Sequence, residues 1–139
     1  MSLTVEELAG RYHQAWAEHD PTSIAALHSD DSVFHMHGVA PEAVGRTAVA
    51  AMIAALLKLA PDLAFAFTRG YVAADHIVVE YAMSGTFGAS PFVCDGADVI
   101  AVSDGLVTRK DTYLDLTALV SQVGPLPDIS APPRHTFDP

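Results

Sequence analysis

Two histidines separated by a single residue are the first chemically informative feature of the chain. His35 and His37 flank Met36 at the end of residues 32–37, a segment that we predict to be a β-strand. Alternate side chains of a strand share a face, so the two imidazoles are expected on the same side. Imidazole titrates near neutral pH and suits proton transfer. The pair is therefore a candidate for a general base.

The same alternation places Phe34 and Met36 on the opposite face of this strand. If that face is the interior, His35 and His37 lie outside, and only a local bulge would turn one of them inward. Their alternatives are a surface or dimer-interface position, a catalytic role, or metal coordination. Two histidines without a supporting acid nearby are a weak metal signal, so the sequence predicts no metal site.

The elements that position these residues follow from the spacing of apolar residues. Spacings of three and four predict helices over residues 4–19 and 46–59. Asp20 and Pro21 end the first helix and begin a shorter one, because aspartate caps helices and proline suits a first turn. The strand over residues 32–37 then lies between helices.

From residue 62 onward the apolar period changes to two, which predicts strands. The predicted strands begin after Asp62 and continue at residues 77–87, 92–102 and 106–114. Asp104 and Gly105 mark the strongest hairpin turn. A short helix over residues 115–123 closes a single domain of residues 1–123, and we expect residues 124–139, rich in proline, to form an irregular tail.

Helices followed by an antiparallel meander indicate an α+β fold. Within that frame, the order of several short motifs resembles the SnoaL-like branch of the nuclear transport factor 2-like superfamily, which includes ketosteroid isomerase and polyketide cyclases. These motifs are Arg11-Tyr12, Trp16, His19-Asp20, Asp30-Asp31, Gly38, Gly45-Arg46, Ser103-Asp104-Gly105 and Thr112-Tyr113-Leu114-Asp115. The resemblance implies a cone-shaped fold in which a curved, mainly antiparallel sheet wraps around about three helices, with an apolar pocket and commonly a homodimer.

The resemblance also implies catalytic positions. It aligns Tyr12 with a tyrosine, and Asp98 with a protonated acid, that together stabilise an enolate as hydrogen-bond donors. The position of the base falls on Met36, which cannot accept a proton, so His35 or His37 is the remaining candidate. The alternatives are that Tyr12 is an ordinary core residue and that Asp98 is solvated on the outer face.

The same resemblance directs Lys110 into the pocket, where it is able to pair with Asp98 or to bind an acidic group of a substrate. The alternative is a lysine whose amine reaches water. The other predicted lining residues, which form either an open pocket or a closed core, are Trp16, Phe34, Met36, Met52, Leu56, Phe65, Phe67 and Phe87. A cavity with such a lining favours a flat or branched apolar molecule.

Composition excludes several classes of partner. The formal net charge of -10 disfavours nucleic acids and anionic membrane surfaces. The single cysteine, Cys94, cannot form an internal disulfide and indicates a reducing, cytoplasmic setting. We find no signal peptide, no membrane-spanning apolar run and no cofactor motif, so we predict a protein without a cofactor.

Together these features predict a pocket for a small hydrophobic ligand. The first hypothesis is an isomerase, cyclase or dehydratase that acts on a carbonyl compound by stabilising an enolate. The alternatives are a non-catalytic module that binds an apolar ligand and a dimerisation domain. Met36 keeps these alternatives open, because it removes the expected base.

Overall fold

The computed structural model describes residues 2–127 and 129 of the 139-residue chain. In chain order its elements are α1 (Val5–Ala17), α2 (Pro21–Ala26), β1 (His28–Met36), β2 (Ala43–Val44), α3 (Arg46–Leu59), β3 (Ala64–Val72), β4 (His76–Phe87), β5 (Ser90–Ser103), β6 (Leu106–Leu114) and α4 (Leu116–Val123). No helix in this part of the chain is both long and apolar enough to cross a bilayer.

Side-chain caps define where α1 and α2 begin. Thr4 and Glu7 form a reciprocal capping box at the start of α1. Asp20 accepts hydrogen bonds from the backbone of Thr22 and Ser23 and so begins α2 immediately after α1. These caps confirm the two consecutive helices predicted from the sequence.

The six strands form one curved sheet in the order β2-β1-β6-β5-β4-β3. The pairing of β1 with β6 is parallel, and every other pairing in the sheet is antiparallel. The long strands β4 and β5 pair continuously from His76 opposite Ala101 to Phe87 opposite Ser90. This α+β architecture confirms the predicted fold class.

The concave face of the sheet packs against the helices and forms the core. α3 contributes Val49, Met52, Ile53, Leu56 and Leu57, all of which are buried. Asp98 and Ile100 of β5 and Lys110 and Thr112 of β6 are buried on this inner face, whereas their neighbours in the same strands are more exposed. The period of two therefore sorts the side chains as predicted.

The first strand is longer than the sequence indicates. We predict it over residues 32–37, but β1 begins at His28, whose Cα lies opposite that of Val107 on β6. The register between β1 and β6 then shifts before Val33. This irregular pairing interrupts the alternation on which the prediction rests. The predicted tail of residues 124–139 lies largely outside the described residues, and its boundary stays a prediction.

Candidate functional site

A cavity of about 260 Å³ opens between α1 and strands β3 to β6. Its wall is mainly apolar, with aromatic rings from Trp16 and Phe65, and Phe67 half-exposed beside them. Five polar side chains also line it: Tyr12, His13, Arg69, Asp98 and Lys110. An apolar cavity with a few convergent polar groups is the usual form of a small-molecule site.

An ion pair lies in the wall of this cavity. Lys110 Nζ is 3.5 Å from Asp98 Oδ2, and the residues are only 4% and 7% exposed. Adjacent strands hold the two groups, since Asp98 on β5 lies opposite Thr112 and Lys110 lies opposite Ile100. The structure therefore buries the two charges together on the inner face of the sheet.

Two hydroxyl groups complete the surroundings of the Asp98 carboxylate. Tyr81 and Thr112 each donate a hydrogen bond of 2.8 Å to Asp98 Oδ1. In this arrangement Oδ1 accepts two hydrogen bonds and Oδ2 faces the Lys110 ammonium. Towards its described neighbours Asp98 is therefore an acceptor, which differs from the donor role that the resemblance implies. Burial and the neighbouring Asp98 raise the pKa of Tyr81, which keeps its proton.

A glycine makes room for this hydrogen bond. Gly96 lies opposite Tyr81 in the pairing of β5 with β4. A Cβ at this position would lie 2.7 Å from the Tyr81 ring and from the Leu114 side chain. Because any larger residue would push the ring away, Gly96 lets the Tyr81 hydroxyl reach Asp98.

Three aromatic rings surround the Lys110 ammonium. Its Nζ lies 4.2 Å from the ring centroid of Trp16, 4.9 Å from that of Phe34 and 5.0 Å from that of Tyr12. Cations are attracted to such ring faces. Burial alone would lower the pKa of Lys110, but attraction to Asp98 and Tyr12 outweighs burial and raises it. Lys110 is therefore charged at neutral pH, and it is a donor and not a base.

Tyr12 pairs with a histidine that the sequence reasoning did not single out. The Tyr12 hydroxyl lies 2.9 Å from Nε2 of His28, and both side chains are buried. Burial raises the pKa of Tyr12, so it stays a neutral phenol. Burial, together with the positive charges of Lys110 and Arg46, lowers the pKa of His28 to about 3. This histidine is therefore neutral in the folded protein.

Stability is expected to fall on acidification because of His28. Its pKa is 6.5 when unperturbed and about 3 in the folded protein, so between these values the unfolded chain binds the additional proton. The contribution of His28 to the free energy of unfolding is at its maximum above about pH 6.5. It declines by about 1.4 kcal/mol per pH unit as the pH falls towards 3. Urea unfolding between pH 7 and pH 4 measures this slope.

The comparison that isolates His28 is the variant His28→Gln, which keeps a hydrogen-bonding side chain but does not titrate. We expect a shallower pH dependence for this variant than for the wild type. A His76→Gln variant is the control, because His76 is exposed and pairs with Asp75 at the surface. Equal slopes in His28→Gln and the wild type would contradict the assignment.

The inner end of the cone is filled by side chains that we predicted to line a pocket. Phe34, Met36 and Leu56 border gaps of only about 10 Å³, and Phe87 borders one of them. Met52 is fully buried in the core and borders neither these gaps nor the cavity. These five residues therefore form closed packing, whereas Trp16, Phe65, Phe67 and Lys110 line the open cavity.

His35 and His37 lie on the other side of the sheet. β1 buries Phe34 and Met36 and leaves the two histidines partly exposed. No bulge turns them inward at this end of the strand, where residues 33 to 36 keep a continuous register with β6. The sheet separates both imidazoles from the cavity. Neither can therefore reach a ligand there to act as a general base.

Sequence reasoning missed His13 and Arg69, which line the cavity, and the buried residues Tyr81, Thr112 and His28. Tyr81 and Thr112 both belong to inner-facing sets of their strands, and that periodicity was the available signal. The period of two gave no such signal for His28, because the register of β1 shifts between His28 and Val33. The partners of Asp98 and Tyr12 come from distant parts of the chain and meet only in the folded sheet.

Comparisons with known proteins agree with this architecture. The model of the SnoaL-like domain matches residues 9–110. A search of curated proteins finds no match. A protein from Catenulispora acidiphila with a ketosteroid isomerase-like fold, solved in complex with trimethylamine, is 22% identical, with a TM-score of 0.78. This similarity covers 93% of our chain and 100% of that chain.

Two further solved structures show the range of relatives. A polyketide cyclase candidate from Pseudomonas putida is 18% identical over 88% of this chain and 100% of its own, with a TM-score of 0.73. An epoxide hydrolase of the LEH-like type from M. tuberculosis is 17% identical over 82% and 84%, with a TM-score of 0.70. At these identities the similarity establishes the fold alone. The match of the domain model over most of the chain shows that this protein belongs to the SnoaL-like family.

Proposed function

We propose that the protein is an enzyme that enolises a small, mainly apolar carbonyl compound in this cavity. The observation that carries the proposal is the Asp98–Lys110 pair, which brings a proton acceptor and a cation together in an apolar wall. Charges act strongly in such a water-poor site. The similarity to a protein with a ketosteroid isomerase-like fold and to a polyketide cyclase candidate supports the same class of reaction.

In the proposed step, the carbonyl oxygen of the substrate lies against the Lys110 ammonium. Asp98 Oδ2 removes a proton from the carbon next to the carbonyl, and the C–H electron pair forms the C=C bond of an enolate. The carbonyl π pair moves to the oxygen, where Lys110 stabilises the new negative charge. Return of the proton to a different carbon completes an isomerisation, whereas attack by the enolate carbon on an electrophile completes a cyclisation.

The dimensions of the cavity restrict the substrate. At about 260 Å³ it is slightly smaller than the roughly 300–1,000 Å³ typical of sites for drug-sized ligands. The Lys110 ammonium in its wall is a donor for an oxygen atom of a ligand. These features favour one or two rings that carry an oxygen substituent.

A second candidate function is non-catalytic binding of the same kind of ligand. The hydrogen bonds from Tyr81 and Thr112 favour this function, because they already occupy one oxygen atom of the Asp98 carboxyl group. In this case Asp98 holds Lys110 in place, and Lys110 binds the oxygen of the ligand. Both candidates use Lys110 as the oxygen-binding group.

Binding of 4-nitrophenolate, an anionic oxygen on an apolar ring, tests the role of Lys110. Loss of a hydrogen bond to a charged group costs about 1.5–3 kcal/mol, so Lys110→Met should weaken binding by about 10- to 100-fold. Titration calorimetry above the pKa of the phenol measures this change. Nitrobenzene, which lacks the anionic oxygen, should bind the variant and the wild type equally.

The matched control is Lys58→Met, which removes an exposed lysine from α3. It should leave the affinity for 4-nitrophenolate unchanged. Equal weakening by both variants would show a general charge effect and would exclude a specific role of Lys110.

Deuterium exchange into cyclohexanone, followed by NMR, separates the two functions. Exchange faster than in buffer supports the enzyme, and binding with exchange at the buffer rate supports the non-catalytic module.

Two further predictions accompany this proposal. We propose a homodimer through the outer face of the sheet, where Val93, Val99 and Tyr113 are exposed apolar side chains. Such exposed groups favour association of two surfaces.

The cytoplasmic setting stays a prediction that rests on the single cysteine.

A further inference from the structure

A second cluster of chemically active side chains lies on the outer face of the sheet, away from the cavity. His35, His37 and Asp111 each offer one ligand atom, and these three atoms lie within 4.8 Å of one another. All three side chains are partly buried. The proposed reaction uses none of them.

The backbone itself brings these residues together. His35 on β1 lies opposite Asp111 on β6 in the parallel pairing, and the backbone N–H of His37 donates to the carbonyl of Thr112. Because β1 and β6 are far apart in the chain, the sequence pattern alone showed two histidines without an acid. The fold supplies that acid as Asp111.

The side chains are already close to a coordinating arrangement. His37 Nε2 lies 2.7 Å from Asp111 Oδ1, and the rings of His35 and His37 are 3.8 Å apart between centroids. Tyr113 stacks on His37 at 4.2 Å and restrains its ring. Zinc ligands lie about 2.0–2.2 Å from the ion, so only small side-chain rotations are needed for all three to reach one ion.

Neighbouring charges complete the cluster. Arg109 donates to both carboxylate oxygens of Asp111, at 2.8 and 3.0 Å, and also bonds to Glu42. Glu42 in turn lies 3.9 Å from His35. Two carboxylates against one guanidinium leave the cluster net negative when the imidazoles are neutral. Hydrogen bonds of this kind orient metal ligands in known sites.

We propose that His35, His37 and Asp111 bind one divalent transition-metal ion per chain, of the zinc type. Two imidazoles and one carboxylate are a donor set that such ions prefer, and a three-ligand set leaves a coordination position open for water. The site is separate from the cavity, because β1 and β6 direct Phe34 and Lys110 to the inner face and these residues to the outer face.

Titration of the metal-free protein with Zn²⁺, measured by calorimetry, tests the site. We expect one ion per chain. Loss of an outer-shell partner typically weakens metal binding by 10- to 100-fold, so loss of a direct ligand in His37→Ala should weaken it by at least about 100-fold. Asp111→Asn, which keeps the size of the side chain, should weaken it similarly. Co²⁺ then serves as a spectroscopic probe of imidazole coordination in the wild type.

The control is His76→Ala, because His76 also pairs with an aspartate, Asp75, at 2.9 Å but has no second histidine in that cluster. It should leave Zn²⁺ affinity unchanged, and circular dichroism confirms that each variant is folded. Equal weakening by His76→Ala and His37→Ala would overturn the proposal. Unchanged affinity in Asp111→Asn, or half an ion per chain with metal-dependent dimerisation, would overturn it as well.

Discussion

Replacement of Asp98 by alanine should lower the free energy of unfolding by about 3–5 kcal/mol. The variant leaves Lys110 as a buried cation without its counter-charge, and removal of one partner of a buried ion pair typically costs this much. It also removes the acceptor of the hydrogen bonds from Tyr81 and Thr112. Urea unfolding at pH 7, monitored by circular dichroism, measures the change.

A double-mutant cycle separates the ion pair from general disruption of the core. Asp98→Ala combined with Lys110→Met replaces both charges, so the double variant should be more stable than Asp98→Ala alone. Asp95→Ala is the matched control, since this exposed aspartate lies three residues away on the outer face of the same strand. It should change stability by no more than about 0.5 kcal/mol. A cost below about 1 kcal/mol for Asp98→Ala would show that Lys110 does not depend on it.

The second large effect is expected from Met36→Ala. Met36 is 3% exposed and borders both narrow gaps at the inner end of the cone. One of these gaps also shares Trp16, Phe65, Asp98 and Lys110 with the open cavity. Truncation of a buried methionine costs about 2–5 kcal/mol and leaves a void. We therefore expect a less stable protein whose cavity extends inward.

Affinity for a series of 4-alkylphenols reports this extension. In the wild type the affinity should stop increasing once the alkyl chain fills the cavity. In Met36→Ala each further methylene should continue to contribute, by up to about 0.8 kcal/mol. Met52→Ala is the control, because Met52 is buried in the core away from the cavity and both gaps. If Met52→Ala gained as much affinity for phenols with long alkyl chains as Met36→Ala does, a general loss of core packing would explain the effect.

The role of Met36 in the structure differs from the role that the sequence suggests. The sequence presents it as a residue that replaces a catalytic base. In the fold it closes the inner end of the cone, and the carboxyl group that lines the cavity belongs to Asp98 on a different strand. The site therefore contains a carboxyl group even though position 36 is a methionine.

Local patterns in the sequence determined the elements and the faces of the strands. Capping residues such as Thr4 and Asp20 set the helix starts, and the period of two placed His35 and His37 on the face opposite Phe34 and Met36. The family resemblance directed Lys110 to the inner face, where the structure has it. These features depend on residues close together in the chain. The α+β class and the family resemblance follow from the same information.

Only the tertiary structure decided which polar groups meet. Tyr81 and Thr112 reach Asp98 from the two strands that flank it, His28 reaches Tyr12, and Asp111 reaches His37 across a parallel pairing. Periodicity reports the face of one strand, whereas these contacts depend on the register between strands that are distant in sequence. The hydrogen bonds and the ion pair of Asp98 all depend on those partners, because the groups that contact it lie on neighbouring strands. The sequence by itself therefore determined the scaffold, and the packing of the sheet decided its chemistry.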